Sequence, residues 1–215
     1  MKQVAVIVEG QTEQRFISEI LGPHLSTSHV YAKPVITKTS NTGRGGGGWR
    51  GYRDLFDALS RQPQWDLVTS MIDYFRAPAG FPGAERRGKD PYATADLWQD
   101  AIQAEWSGCT TNEVKPFFMV HEFEALVIAA GAAQESVLGD RRVARQMRRW
   151  VEEAGQNAEA VNGGPQTAPS KRLERLLPDY VKTADGLEIL QAVSLEDVLP
   201  SVPRFDSWLQ MIRSI

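Results

Sequence analysis

Cysteine is nearly absent. Cys109 is the only one in 215 residues, and a single thiol cannot build an internal disulfide framework or a multi-cysteine zinc site, so a reducing compartment is expected. Long hydrophobic runs are missing as well: no apolar stretch approaches the ~20 residues needed to cross a bilayer. No membrane association is expected. The N-terminus opens on a strand-like segment rather than a charged-then-apolar leader, which sets the expected location as cytoplasmic. There is also no excess of positive charge. With a formal net charge of -3 and a pI of about 5.7, the chain has no global attraction to nucleic acid, and binding of that kind has to rest on local patches. No internal repeat is found, and the run Gly45 to Gly48 is the single low-complexity tract.

What is present, with 42% hydrophobic residues, suits one medium domain or a domain with an appendage. The first twenty-odd residues organise it. Val4-Ala5-Val6-Ile7-Val8 is short, mostly β-branched and apolar on both faces, as expected of a strand inside a parallel sheet. Gly10 permits a turn, Thr12 can cap a helix, and Phe16, Ile17, Ile20 and Leu21 give that helix one apolar face. Glu9 follows the strand and Glu13 falls in the first helical turn, at the edge of an open α/β sheet where ligands bind. Two readings fit each carboxylate: a ligand-binding group, or, for Glu13, a partner of the positive helix end and, for Glu9, a solvated turn residue.

Further along, His29 to Thr37 reads as a second strand, with Pro34 marking an edge or a bulge. The glycine-rich stretch Gly43 to Gly48 feeds a helical pattern through Tyr52, Leu55, Phe56 and Leu59. With Lys38, Arg44, Arg50 and Arg53 it suits either a phosphate cradle or a surface loop; the Lys-Ser/Thr pair of a nucleotide P-loop is missing. Asp66 to Asp73 is the third strand and ends on an acid. The loop after it, rich in glycine, proline and charge and containing Arg76, is expected to be exposed and to lie over the site. A helix over Tyr92 to Trp106 follows. Val114 to Val120 is the fourth strand, running into a helix with Glu122 and Glu124 at the strand's end. His121 fits a ligand, a proton shuttle or a backbone-bonded strand end.

This alternation predicts an α/β fold with a four-stranded, mainly parallel sheet flanked by helices over 1–131. From 132 to 215 the pattern is wholly helical. There Arg141, Arg145 and Arg148 form a stripe that suits a phosphate backbone or a solvated face. Ser170 is the expected cap of a helix over Lys171 to Leu177, whose first turn carries Lys171 and Arg172. Cations are disfavoured there by the helix dipole, which points to an anion.

Glu9, Asp73, Glu122 and Glu124 each follow a strand, so a parallel sheet gathers them at one rim with Glu13 alongside. Clustered carboxylates repel one another unless a cation joins them, and Mg²⁺ or Mn²⁺ prefers such hard oxygen ligands. Phosphoryl transfer is the commonest work of a site of this kind. Here the residues resemble something known. The strand, Glu-Gly turn and helix of Val6 to Glu13, with an acid ending the third strand, resemble the TOPRIM domain of topoisomerases, primases and overcoming-lysogenization-defect nucleases. More closely, Val8-Glu-Gly-Gln-Thr-Glu13, Asp73-Tyr74, His121-Glu-Phe-Glu-Ala125 and Thr167-Ala-Pro-Ser-Lys-Arg172 together resemble the bacterial family called domain of unknown function 4276. The resemblance spans nearly the whole chain. It implies a TOPRIM-like core with a helical extension, nuclease chemistry on DNA, and a role in defence beside an ATPase partner.

On this reading Glu9, Asp73, Glu122 and Glu124 are metal ligands and Glu13 is a further ligand or base. Lys171 and Arg172 steady the phosphate, while Arg44, Arg50, Arg76 and Arg145 meet nucleic acid. One departure stands out. TOPRIM domains carry Asp-x-Asp after the third strand, and Asp73-Tyr74-Phe75 lacks the second acid; either Glu122 or Glu124 replaces it, or the second metal is missing. The rival reading is a non-catalytic subunit with a degenerate site that binds nucleic acid or docks an ATPase.

Overall fold

Val4 to Val8 are wholly buried, as a run apolar on both faces must be when a parallel sheet is covered on each side. In the computed structural model, which describes residues 1–37, 48–120, 123–161 and 168–215, they form the centre of β1 (Lys2–Val8). This strand pairs in parallel with β2 (Val30–Ile36) on one side and β3 (Leu67–Asp73) on the other. The strand order is β2-β1-β3, continued by β4 (Glu113–Lys115). Pro34 lies in the edge strand β2, opposite Val6, where its missing N–H is tolerated.

The predicted fourth strand is not continuous. It splits into β4 and β5 (Phe118–Met119), both parallel to β3. Pro116 has no N–H to donate, so the ladder is interrupted there, and side chains take over the lost bonding. Thr69 Oγ1 donates to the Lys115 carbonyl at 2.6 Å, the Phe117 N–H donates to Ser70 Oγ at 3.1 Å, and the Phe118 N–H donates to Gln99 Oε1 at 3.0 Å. This is why Thr69 and Ser70 are tolerated fully buried in the central strand.

Helical structure after β1 runs through α1 (Gln11–Phe16), a π-helical turn (Ile17–Leu21) and α2 (Gly22–Ser26). The cap of α1 is Gly10 in an extended conformation, not Thr12, which is buried inside the first turn. Gly22 is required by crowding: a Cβ there would sit 2.9 Å from the Ile17 carbonyl oxygen. Two longer helices, α3 (Trp49–Ser60) and α4 (Pro91–Trp106), pack on the sheet in one core cluster, α4 capped by Asp90, which accepts from the Tyr92 N–H at 2.9 Å. Their apolar faces meet the sheet in an aromatic core, with Phe81 against Trp98 at 4.8 Å between centroids and Phe56 against Trp106 at 5.2 Å.

The chain divides into two compact units, Met1–Val120 with Ile212–Ile215, and His121–Met211. The second is helical. Its centre is α5 (Glu124–Ala133), buried along almost its whole length, which is why this helix belongs to the second unit although the sequence pattern divides the chain after Gly131. Around it pack α6 (Arg141–Glu153), α7 (Pro169–Leu176), α8 (Leu187–Gln191) and α9 (Leu195–Val198). Pro169 occupies the start of α7, and Ala168 is its cap rather than Ser170. Arg148 from α6 donates to the Ala132 carbonyl at 3.1 and 3.2 Å, closing the C-terminus of α5, and pairs with Glu135 at 3.1 Å. Among the described residues, no helix is long and apolar enough to cross a membrane, and Cys109 is exposed.

The last helix, α10 (Pro203–Arg213), is capped from 45 residues away. The buried Glu159 carboxylate accepts from the Arg204 N–H at 2.8 Å and the Phe205 N–H at 3.1 Å. Loss of this cap in Glu159→Ala is expected to cost about 1–3 kcal/mol in urea unfolding. Burial holds the Glu159 carboxyl above its ordinary value of 4.5, outweighing the two N–H donors that lower it. The folded state therefore binds a proton more readily than the unfolded one, and wild type loses stability relative to Glu159→Gln as pH rises from 4.5 through the folded value. A pH-independent difference between the two proteins would contradict this account.

Candidate functional site

The connection from β1 to β2 leaves on one side of β1, and β3 lies on the other. The boundary between β1 and β3 is thus the point at which the winding of the sheet reverses, and in open α/β sheets the crevice beyond the strands at that point is the usual ligand site. Two acids stand there. Val8 pairs with Met71, so Glu9 leaves β1 beside the end of β3, and Asp73 is the last residue of β3.

Each acid is held by its surroundings. The Tyr52 hydroxyl, from the buried face of α3, donates to Glu9 Oε1 at 2.9 Å. Asp73 Oδ1 accepts from the Phe75 N–H at 2.8 Å and the Arg76 N–H at 3.3 Å, tying the following loop to the strand end. Glu13 folds back over the turn, and a Cβ on Gly10 would lie 3.2 Å from its Oε2. A side chain at residue 10 would crowd the Glu13 carboxylate.

Burial raises the Glu9 carboxyl above its ordinary range, and repulsion from Asp73 and Glu13 adds to this. The Tyr52 hydrogen bond and the Arg76 guanidinium act in the opposite direction and do not win. Burial and the neighbouring Glu9 push the Tyr52 hydroxyl well above the ordinary phenol range, so it remains a donor. A partly desolvated carboxylate facing two more is a place where added positive charge is stabilising. The donor chemistry therefore fits a hard divalent cation. No group of three or more His, Cys, Asp or Glu side chains that could hold a metal ion occurs among the described residues. That is compatible with Mg²⁺, which is commonly held by one or two carboxylates with waters and substrate phosphate filling the remaining positions.

The family described as Domain of unknown function (DUF4276) matches residues 8–213, nearly the whole chain. The chain belongs to the DUF4276 family. No curated protein matches the sequence. Among solved structures, the chain is similar to the C-terminal region of the Burkholderia pseudomallei OLD protein at 13% identity and a TM-score of 0.46, over 99% of each chain.

The other sequence-predicted residues of this DUF4276 chain occupy varied settings. Glu124 lies in the second unit, buried in the first turn of α5, with Lys182 Nζ 3.4 Å from its Oε2 and over the Phe123 ring. Glu122, His121 and Arg44 lie outside the described residues, as does the glycine run Gly45 to Gly47. Lys171 is exposed and pairs with Glu174 at 2.7 Å, whereas the Arg172 guanidinium stacks on Trp150 at 5.2 Å. Arg145 is exposed on α6, Arg50 is exposed in the first turn of α3 with Asp54 at 3.9 Å, and Arg76 borders the carboxylates.

Two residues with clear roles carried no signal in the sequence. The sequence places Tyr52 in an apolar stripe, and nothing in it singles out Lys182. Removing the hydroxyl in Tyr52→Phe leaves Glu9 Oε1 without this donor beside two other acids, and is expected to destabilise the fold by about 1–2 kcal/mol in urea unfolding. An unchanged midpoint would show that solvent replaces the bond at no cost.

Proposed function

We propose that this chain is a divalent-metal-dependent phosphodiesterase acting on nucleic acid. The observation that carries the reading is the pairing of β1 with β3, which brings Glu9 and Asp73 to adjacent strand ends at the reversal point of the sheet, with Glu13 and Arg76 beside them. The sequence resemblance to TOPRIM nucleases points to the same chemistry.

Glu9 and Asp73 would hold Mg²⁺ or Mn²⁺, with Glu13 as a further ligand or a base. The ion, when bound, would polarise a phosphoryl oxygen and acidify a water. Tyr52 orients the Glu9 carboxylate, leaving the second oxygen to act. The guanidinium of Arg76 offsets part of the acid cluster's repulsion of a phosphodiester. Glu122 and Glu124 remain proposed metal ligands. Lys171 and Arg172 remain proposed phosphate contacts, and the exposed Lys171–Glu174 pair would cost at most about 1 kcal/mol to open. Arg44, Arg50 and Arg145 supply local positive charge in an otherwise acidic chain. DNA as the substrate, a role in bacterial defence and an ATPase partner are proposed from the family resemblance. The absence of a three-ligand group among the described residues favours a second reading, a non-catalytic subunit that binds nucleic acid or docks an ATPase.

Incubation of supercoiled DNA, linear DNA and RNA with the purified chain and Mg²⁺, Mn²⁺ or EDTA separates the two. The expected result is cleavage that EDTA abolishes and that falls by at least about 100-fold in folded Glu9→Gln and Asp73→Asn. Absence of cleavage with either metal, with and without a co-purifying ATPase, overturns the enzymatic reading in favour of the subunit.

A further inference from the structure

The loop between β3 and α4 begins where β3 ends, so it starts at the carboxylate edge of the sheet. It carries four cations, Arg76, Arg86, Arg87 and Lys89, against two acids, in a chain whose net charge is -3. Both acids are engaged: Glu85 pairs with Arg86 at 3.4 Å, and Asp90 caps α4. Arg87 and Lys89 are exposed and make no ion pair among the described residues. The Arg87 guanidinium instead lies over two rings, 5.2 Å from the Tyr74 centroid and 5.8 Å from the Trp98 centroid. Those rings are buried and stack on each other at 4.8 Å and 23°, so the seat is part of the aromatic core. The backbone on either side is tied down: the Arg86 N–H donates to the Gly83 carbonyl at 2.8 Å, and the Gly88 N–H donates to Thr94 Oγ1 at 3.1 Å. Tyr74 directly follows Asp73, which places the seat one residue along the chain from a proposed metal ligand.

A cation over a ring can be purely structural, a long side chain covering apolar surface. What goes beyond that here is unused chemistry. A ring face attracts the guanidinium charge but leaves its in-plane N–H groups unsatisfied, and Arg87 donates no side-chain hydrogen bond among the described residues. The five donors of arginine form a planar fork that matches a pair of phosphate oxygens, and seating the fork on an aromatic base fixes its direction before a ligand arrives. A nucleic acid whose scissile phosphodiester reaches Glu9 and Asp73 also brings flanking phosphates, and these need cations outside the carboxylate cluster. Arg50 belongs to the same edge, because it lies in the first turn of α3, whose Trp49 N–H donates to Ala79 of this loop at 3.4 Å.

We infer that Arg87, supported by Lys89 two residues on, is a positioning residue that clamps a backbone phosphate of nucleic acid flanking the phosphodiester at Glu9 and Asp73. Nucleic acid as the ligand rests on the phosphodiesterase reading, but the clamp is tested by binding alone, in EDTA. Fluorescence anisotropy is measured across a salt series with labelled single-stranded DNA, single-stranded RNA and duplex DNA of several unrelated sequences. Arg87→Met, which keeps an apolar cover on the rings and loses the fork, should weaken binding by at least about 10-fold, alike for every sequence. It should also lower the log–log salt slope by about 0.7 on single strands, or about 0.9 on duplex, for one phosphate. Arg87→Lys keeps the charge without the fork, so the salt slope should stay at the wild-type value while affinity falls several-fold. Arg61→Met is the control: it removes the same charge just beyond the other end of α3, near the start of β4, and should change neither quantity. The DNA and RNA arms decide which backbone is preferred. Wild-type affinity in Arg87→Met, an equal loss in Arg61→Met, or no binding by wild type would each overturn the clamp; if Arg87→Met does not fold, wild-type affinity in Arg87→Lys overturns it. Cleavage with binding unaltered in Arg87→Met would remove the clamp and spare the nuclease; Arg87-dependent binding without cleavage would do the reverse.

Discussion

Everything at the candidate site depends on the parallel pairing of β1 with β3. Because the two strands run together with Val8 opposite Met71, Glu9, which follows β1, and Asp73, which ends β3, emerge beside each other. The pairing is enforced from within. Val4 to Val8 and Leu67 to Ile72 are buried on both faces of the sheet, and a one-residue slip would disrupt the packing of every side chain in the pair. The cost of setting carboxylates close together is thus met by an apolar core that has no tolerance for an alternative register.

This arrangement leaves the site electrostatically strained rather than relaxed. Burial and the nearby acids raise the Glu9 carboxyl, and the available compensation, a tyrosine hydroxyl and an arginine, does not cancel them. Burial raises the Glu159 carboxyl too, but its oxygens accept from two backbone N–H groups and no neighbouring acid adds to the shift. The contrast separates surroundings: one acid caps a helix, and the other faces two further acids. A polar edge served by a rigid aromatic core is a sound base for such a site, since the rings behind Asp73 restrict how far its loop can move.

Much of the fold was legible in the sequence. The strands at Val4–Val8, His29–Thr37 and Asp66–Asp73 were readable to within a residue or two, as was α4, because short apolar runs and helical apolar spacing are local properties of the chain. Family membership, too, followed from short strings of residues. The errors share one cause, the outcome of a competition between neighbours. Thr12 and Ser170 are good caps by type, yet Gly10 and Ala168 precede the helices, the first because a side chain there would crowd Glu13 and the second because Pro169 takes the opening position. The fourth strand broke at Pro116 because Thr69 and Ser70 of the adjacent strand could absorb the lost bonding, a compensation that no local pattern reveals.

By itself, the sequence determined which segments are strands and helices, that the sheet is parallel, and that acids follow the strands; these depend on side-chain period and on the chemistry of single residues. Strand order, the contact between Tyr52 and Glu9, the ion pairs that engage Lys171 and Glu124, and the seating of Arg87 over two buried rings were decided by the tertiary structure alone. Each of these depends on which distant segments are brought together, and that choice is made by packing of the whole core, where the free energy of any one pairing is small beside the sum.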